Sequence, residues 1–283
     1  MNVFQSVYDG QNWTSKLPVN AATELVFVFG SELLIKDVEI YNEIRKAFPK
    51  ANVVGCTTSG EIQADKLYDD CLVLSAVEVE RACIFVDSKQ VSHFENAHFL
   101  GESLIKNIPK QCLKHVFLIS DGQLINGSEL VAGVQHSLQT GVSFSGGLTG
   151  DKSHFNRTLI RHNEEVSEGL VIAVCFYGES LAVSTGCFGG WRAFGPEREI
   201  TKSDKNIVYE IDGKPALTLY KSFLGEYAQD LPGSALFYPL SLKQEEEQGT
   251  VVRTILSIDE EQNSMRFAGN MPVGSSCQLM HAS

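Results

Sequence analysis

Short apolar runs rich in β-branched and aromatic residues alternate with amphipathic stretches along the first half of the chain. Leu25-Val26-Phe27-Val28-Phe29 ends at Gly30-Ser31 and predicts a buried strand. Val38, Tyr41, Ile44 and Phe48 recur at helical spacing, so residues 37–48 predict an amphipathic helix, stopped by Pro49. Asn52-Val53-Val54 predicts the next strand, which enters Gly55-Cys56-Thr57-Thr58-Ser59-Gly60-Glu61. Strand, helix and strand in that order make a βαβ unit, whose crossover leaves its two strands parallel.

Cys71 to Val79 and Ala82 to Val86 predict a pair of strands joined by a polar turn at Glu80-Arg81. Ala97, Leu100, Leu104 and Ile108 mark a helix closed by Pro109. His115 to Ser120 predicts a strand, and Asn126 with Glu129 has capping-box spacing ahead of a helix through Leu130, Val131, Val134 and Leu138. Val142 to Ser145 is again a strand, entering Gly146-Gly147-Leu148-Thr149-Gly150-Asp151. The two βαβ units align without a gap at an offset of 90, placing Val26 on Val116 and Ser59-Gly60-Glu61 on Thr149-Gly150-Asp151. A repeat of this kind would bring two like loops to one edge of the sheets, at the carboxyl ends of strands where α/β proteins hold ligands.

From about residue 158 the texture becomes strand-rich. Thr158 to Ile160, Gly169 to Tyr177, Leu181 to Thr185 and Ile207 to Tyr209 predict strands. Pro215 to Leu224 predicts a helix with Pro at its first turn and Gly225 just past its end. Val251 to Ile258 and Ser264 to Phe267 predict a hairpin around Asp259-Glu260-Glu261, and Glu245-Glu246-Glu247 a solvated loop. The expected fold is α/β, with mixed sheets, two βαβ-type units in the N-terminal half and a strand-rich α+β C-terminal half. The expected domains are residues 1–155 and 156–283.

Composition narrows the function. Of 283 residues, 43% are apolar and 20% charged, as in ordinary globular proteins, and the net charge of −12 argues against a nucleic-acid partner. No apolar run reaches the roughly 18 residues a spanning helix needs, and the first residues lack a basic segment followed by an apolar one, so neither a membrane partner nor a signal peptide is expected. Seven cysteines, with no CxxC pair, lie mostly in apolar segments and predict reduced thiols in a cytoplasmic protein.

Gly55 and Gly60 have the glycine spacing of a phosphate-binding loop, but Glu61-Ile62 stands where that loop needs Lys followed by Ser or Thr. The turn still offers backbone donors and the hydroxyls of Thr57, Thr58 and Ser59 beside Glu61, a cradle for a small polar ligand or a turn that caps itself. Ser145, Gly146, Gly147 and Asp151 carry the same ambiguity. Cys56 is a candidate nucleophile for a cysteine-dependent hydrolase. His154 and His162 are candidate haem ligands or ordinary hydrogen-bonding histidines. Gly189-Gly190-Trp191-Arg192 joins a flat apolar face to a fork of donors inside a glycine-rich turn.

Val53-Val54-Gly55-Cys56-Thr57-Thr58-Ser59-Gly60-Glu61-Ile62 and Phe144 to Asp151 resemble the N-terminal part of the FIST family. Gly190-Trp191-Arg192-Ala193-Phe194-Gly195-Pro196 and Tyr209-Glu210-Ile211-Asp212-Gly213-Lys214-Pro215-Ala216 resemble its C-terminal part. The resemblance implies a bacterial intracellular sensor, not an enzyme, that binds a small ligand and regulates a signalling partner. One branch of the family binds haem, senses nitric oxide and signals to a histidine kinase or a cyclic-di-GMP enzyme, whereas other members are proposed to bind amino acids. Haem is therefore the cofactor the resemblance suggests. The expected pocket lies among Gly55 to Glu61, Ser145 to Gly147 with Asp151, and Trp191-Arg192, with Arg192 on a carboxylate. Similar proteins continue past the stretch matching Gly269 to Ser275, so the C-terminal domain is expected to be truncated.

Overall fold

The computed structural model describes residues 1–152, 157–186, 189–243 and 250–282. The chain divides into two compact units, one reaching to Thr185 and a second made chiefly of Gly186–Ser283. The first unit therefore runs well past the change of texture near residue 155. Strands between 160 and 177 join its sheets because their apolar residues are covered there.

In chain order the first unit holds β1 (Asn2–Tyr8), β2 (Leu25–Gly30), α1 (Glu32–Ile35), α2 (Val38–Ala47), β3 (Asn52–Thr57), β4 (Glu61–Gln63), β5 (Lys66–Tyr68) and β6 (Leu72–Glu78). There follow β7 (Cys83–Gln90), α3 (Ala97–Lys106), β8 (Leu113–Ser120), α4 (Gly127–Ser137), β9 (Ser143–Leu148), β10 (Ile160–His162), β11 (Glu165–Ser167) and β12 (Leu170–Tyr177). One sheet has the order β1-β6-β2-β3-β10-β11 and the other β7-β12-β8-β9. Strands β2 and β3 are parallel, as are β8 and β9, so both predicted βαβ units form.

Alternation of side chains gives each of these two sheets one face toward helices and one toward the other sheet. Val26, Val28, Val53 and Leu74 face α2, whose Ile40, Tyr41 and Ile44 are buried on them. Asp37 caps that helix by accepting from the amides of Glu39 and Ile40. On the second sheet Val116, Leu118, Val171 and Ala173 face Leu100, Leu104, Leu130 and Val134 of α3 and α4. The intervening residues, among them Phe27, Val54, Cys56, Phe117, Ile119 and Ile172, pack the two sheets face to face.

The sheets are two copies of one arrangement. The order β1-β6-β2-β3 is repeated as β7-β12-β8-β9, and each copy inserts a three-residue hairpin before its last strand. Phe27 and Phe117, equivalent at the offset of 90, touch edge to face with ring centroids 5.5 Å apart. Equivalent residues meet in this way when two halves are related by a two-fold. The register then departs from the gapless alignment. Val28 pairs with Gly55 and Leu118 with Gly146, so Gly55 matches Gly146, not Ser145. A Cβ on Gly55 would lie 1.7 Å from the Val28 carbonyl oxygen, and one on Gly146 would lie 2.1 Å from that of Leu118. The close approach of strand to strand locks that pairing. The amide of Thr58 donates to Gly30 and that of Thr149 to Ser120, which carries the same one-residue shift into the loops. In the hairpins the match is offset by 99, with left-handed Ala64 answered by Asn163 and Asp70 by Gly169.

Other expectations change as well. Strands β6 and β7 do not form the hairpin expected around Glu80-Arg81, because β6 pairs with β1 and β2 while β7 pairs with β12 in the other sheet. Leu181 to Thr185 forms no strand and is largely exposed. Strand β1, whose alternation is weak, pairs along its whole length with β6. Cys56, Cys71, Cys175 and Cys277 are buried, but Cys83 and Cys112 are exposed. The acidic loop at Glu245 to Glu247 lies outside the described residues.

The second unit is an antiparallel sheet packed against one α-helix. Its elements are β13 (Trp191–Asp204), β14 (Ile207–Ile211), β15 (Lys214–Pro215), α5 (Ala216–Leu224), β16 (Leu240–Lys243), β17 (Thr250–Arg253), β18 (Ile255–Asp259), β19 (Ser264–Phe267) and β20 (Ser276–Ala282). The strand order is β17-β16-β20-β13-β14-β19-β18, with β15 beside β14. Ala216, Leu217, Tyr220 and Leu224 of α5 are buried against Ile200, Val208, Leu242 and Phe267. Gly225 ends the helix at φ +57, the conformation glycine adopts without strain. Trp191-Arg192, expected in a tight turn, opens the longest strand instead. Pairing with β20 holds it extended, and the register slips between Phe194 and Arg198 at the Gly195-Pro196 bulge.

Candidate functional site

The repeat brings the two glycine turns together at the carboxyl ends of β3 and β9. The Gly150 amide donates to the Thr57 carbonyl at 3.2 Å, and the Lys152 amide to Ser59 Oγ at 3.1 Å. The hydroxyls predicted to meet a ligand have partners within the fold. Thr57 Oγ1 accepts from the Leu159 amide at 3.1 Å, and Thr58 donates to Glu61 Oε1 at 2.5 Å. Glu61 is buried, and its other oxygen accepts from the Cys71 thiol at 3.6 Å. The Ser145 hydroxyl meets His115 Nε2 at 2.9 Å, while Ser143 meets Nδ1 at 2.8 Å. Gly55 is buried and crowded by Val28. Ser59, Gly146 and Gly147 are exposed, and Gly60, Asp151 and Lys152 are half-buried. The hydrogen bond to Asp70 at 2.7 Å raises the Lys152 pKa.

Cys56 lies between the two sheets, where burial pushes its thiol up to about 12. A thiol attacks as its thiolate, so this one is held in its inert form. His162 sits on β10, with Nδ1 2.9 Å from Ser88 Oγ on the opposing sheet, and burial lowers its pKa. That contact gives the imidazole a structural role across the sandwich. His154, the other candidate ligand, lies outside the described residues.

In the second unit Trp191 is half-buried and Arg192 exposed, paired with Ala282 and His281 of β20. Two residues further on, the same strand lines a cavity. Phe194 and Pro196 of β13, Leu219 and Phe223 of α5, and Leu279 of β20 form its apolar wall, and Arg198 and Gln278 are its polar members. Its volume is about 60 Å³ on a measure where one water needs roughly 10–15 Å³, and it is partly open to solvent, so it can seat one small group of a ligand whose remainder stays outside. Arg198 Nη1 donates to Asp212 Oδ2 at 2.6 Å, and its guanidinium lies 4.9 Å from the Phe223 ring centroid. Asp212 also accepts from the Glu199 amide at 2.9 Å, which with Arg198 lowers its pKa. The Asp212-Gly213 turn is thereby a fixed orienting group for the arginine. Sequence reading singled out the two motifs but not Arg198, because their approach depends on the register of β13 against β14.

The FIST N domain profile matches residues 24–214, and the FIST C domain profile residues 216–283. The chain belongs to the FIST family, whose domains are signal-transduction sensor domains suggested to bind small ligands. An uncharacterized protein of Methanocaldococcus jannaschii is 22% identical over 240 residues, which is 79% of this chain and 45% of that protein. The chain thus spans less than half the length of this relative. No helix among the described residues is long and apolar enough to cross a membrane.

Proposed function

We propose that this chain is the sensing module of an intracellular signalling protein and binds a small carboxylate ligand with an apolar side group, of the amino-acid class. Two stretches carry the family likeness in the second unit, and that they converge on one apolar cavity walled by Arg198 supports this reading most directly. The arginine fork would hold the carboxylate as a bidentate pair, with Asp212 fixing its plane. Phe194, Leu219 and Phe223 would take the apolar group. Occupancy would be read by a partner such as a histidine kinase or a cyclic-di-GMP enzyme, without catalysis in the module itself.

The test is a thermal-shift screen of the protein against single amino acids, followed by calorimetry of the best ligand. A ligand that binds the native state raises the melting temperature. Arg198→Gln should weaken that ligand at least about tenfold, since a charge-assisted pair is lost. Unchanged affinity in Arg198→Gln would overturn the assignment. So would a stoichiometric Soret band in protein made with haem supply, shifted by nitric oxide.

A further inference from the structure

The outer helices of the second sheet carry a group of side chains that the sensing role does not use. Helices α3 and α4 cross at two glycines. A Cβ on Gly133 would lie 2.0 Å from the His98 carbonyl oxygen, and one on Gly101 would lie 2.5 Å from that of Leu130. With no side chain between them the backbones touch, and the residues one turn away are drawn together. His98 and Glu102 stand four apart on α3, hence on one face, and His136 stands three past Gly133 on α4. Each of the three residues offers one donor atom within 4.8 Å of the donor atoms of the other two.

We propose that His98, Glu102 and His136 form a solvent-open site for a Zn²⁺-like divalent transition metal that pins α3 to α4. Two imidazoles and a carboxylate are the donor set that suits zinc, or cobalt, nickel and copper, over the hard oxygen-seeking Ca²⁺ and Mg²⁺. Bonds of roughly 2.0–2.1 Å place tetrahedral ligands about 3.4 Å apart. His98 Nδ1 is already 3.9 Å from Glu102 Oε1, and His136 hydrogen-bonds that same oxygen. Closing the triangle needs side-chain rotation only. His136, with 70% of its side chain exposed, is free to supply it, whereas Glu102 at 13% is held. Lys106 donates to Glu102 Oε2 at 2.7 Å and so turns Oε1 toward the imidazoles. Water would fill the remaining position, as in three-ligand zinc sites.

The experiment uses the full chain, stripped by chelator and titrated with Zn²⁺ against a chromogenic competitor. One equivalent should bind, and Co²⁺ in its place should give the visible absorption of a tetrahedral site. His98→Ala and His136→Ala should each weaken binding at least about tenfold, the lower end of the loss seen when even outer supports of a metal site are removed. Glu102→Gln should do the same while keeping its size. Circular dichroism of each variant separates lost ligands from lost fold. Absence of stoichiometric metal in the wild-type chain, or equal affinity in correctly folded His98→Ala and His136→Ala, overturns the proposal.

Discussion

The two repeats of the first unit share a plan and differ in how they close it. In the first repeat β3 is an interior strand, flanked by β2 and by β10, the hairpin strand of the other repeat. In the second, β9 ends its sheet, with Gly146 to Leu148 exposed. The hairpins diverge accordingly. Strands β4 and β5 pair only with each other and leave Ile62 and Leu67 each 70% exposed, while Ile160 of β10 is fully buried. One repeat thus lends its hairpin to the other's sheet, and the loan is not returned. The same local sequence logic gives a buried joint in one copy and an open edge in the other, because burial is decided by which neighbour arrives.

The equivalent glycines should separate the two environments most sharply. Gly55→Ala drives a methyl into the Val28 carbonyl on a strand fixed from both sides, so it should cost more than about 4 kcal/mol or abolish folding. Gly146→Ala meets Leu118 in the same way and also strains a φ of +152, but an edge strand can shift, so about 1–3 kcal/mol is expected. Denaturant midpoints for both variants check this. Equal losses would mean that the edge of β9 is as confined as the interior of β3.

Arg161 is the second point of contrast, standing where the first hairpin has exposed Ile62. Its side chain is buried, donating to the Ile35 carbonyl at 2.9 and 2.6 Å and to the Asn163 carbonyl at 2.9 Å, over the Tyr41 ring at 4.7 Å. It therefore ties the lent hairpin to the end of α1. Arg161→Ile, which copies the first repeat, leaves buried carbonyls unpaired and should cost about 3 kcal/mol. Hydrogen exchange should show β10 and β11 losing protection before the rest of the sheet. A uniform loss of protection would instead make the hairpin part of one cooperative unit.

These contrasts mark how far the sequence could be read. Apolar runs and helical spacing revealed β2, α2, β3, β8, α4 and β9, since each of these elements sets its apolar residues against elements close to it along the chain. The meeting of the glycine turns followed from the repeat. The one-residue shift that sets Gly55 against Gly146 did not, because it reflects a backbone contact with Val28 and Leu118 that no side-chain pattern encodes. Likewise β6 and β7 look like a hairpin along the chain, and only their distant partners β1, β2 and β12 assign them to different sheets. At the candidate site, the hydroxyls of Thr57, Thr58 and Ser145 read as ligand donors until Leu159, Glu61 and His115 supply partners from elsewhere. Arg198 was hidden for the same reason, since Asp212 reaches it only through the register of β13 on β14.

The smallest expected effect is on pH dependence, and it too divides the repeats. His115 occupies the place of Leu25, both buried, and His162 that of Gln63 in the hairpin. Burial lowers both imidazole pKa values below the ordinary 6.5. In the unfolded chain these groups protonate as pH falls through about 6.5, while the folded chain still holds them neutral. The unfolded state then binds more protons, so stability must fall with pH from that point until the folded pKa values are reached. The melting temperature should accordingly be flat from pH 8 to 7 and decline toward pH 5. His115→Leu and His162→Gln, each restoring the first repeat's residue, should flatten the decline in turn, the double variant most. Deprived of both groups, a chain that lost stability just as steeply over this range would place the acid-sensitive contact elsewhere than in the second repeat.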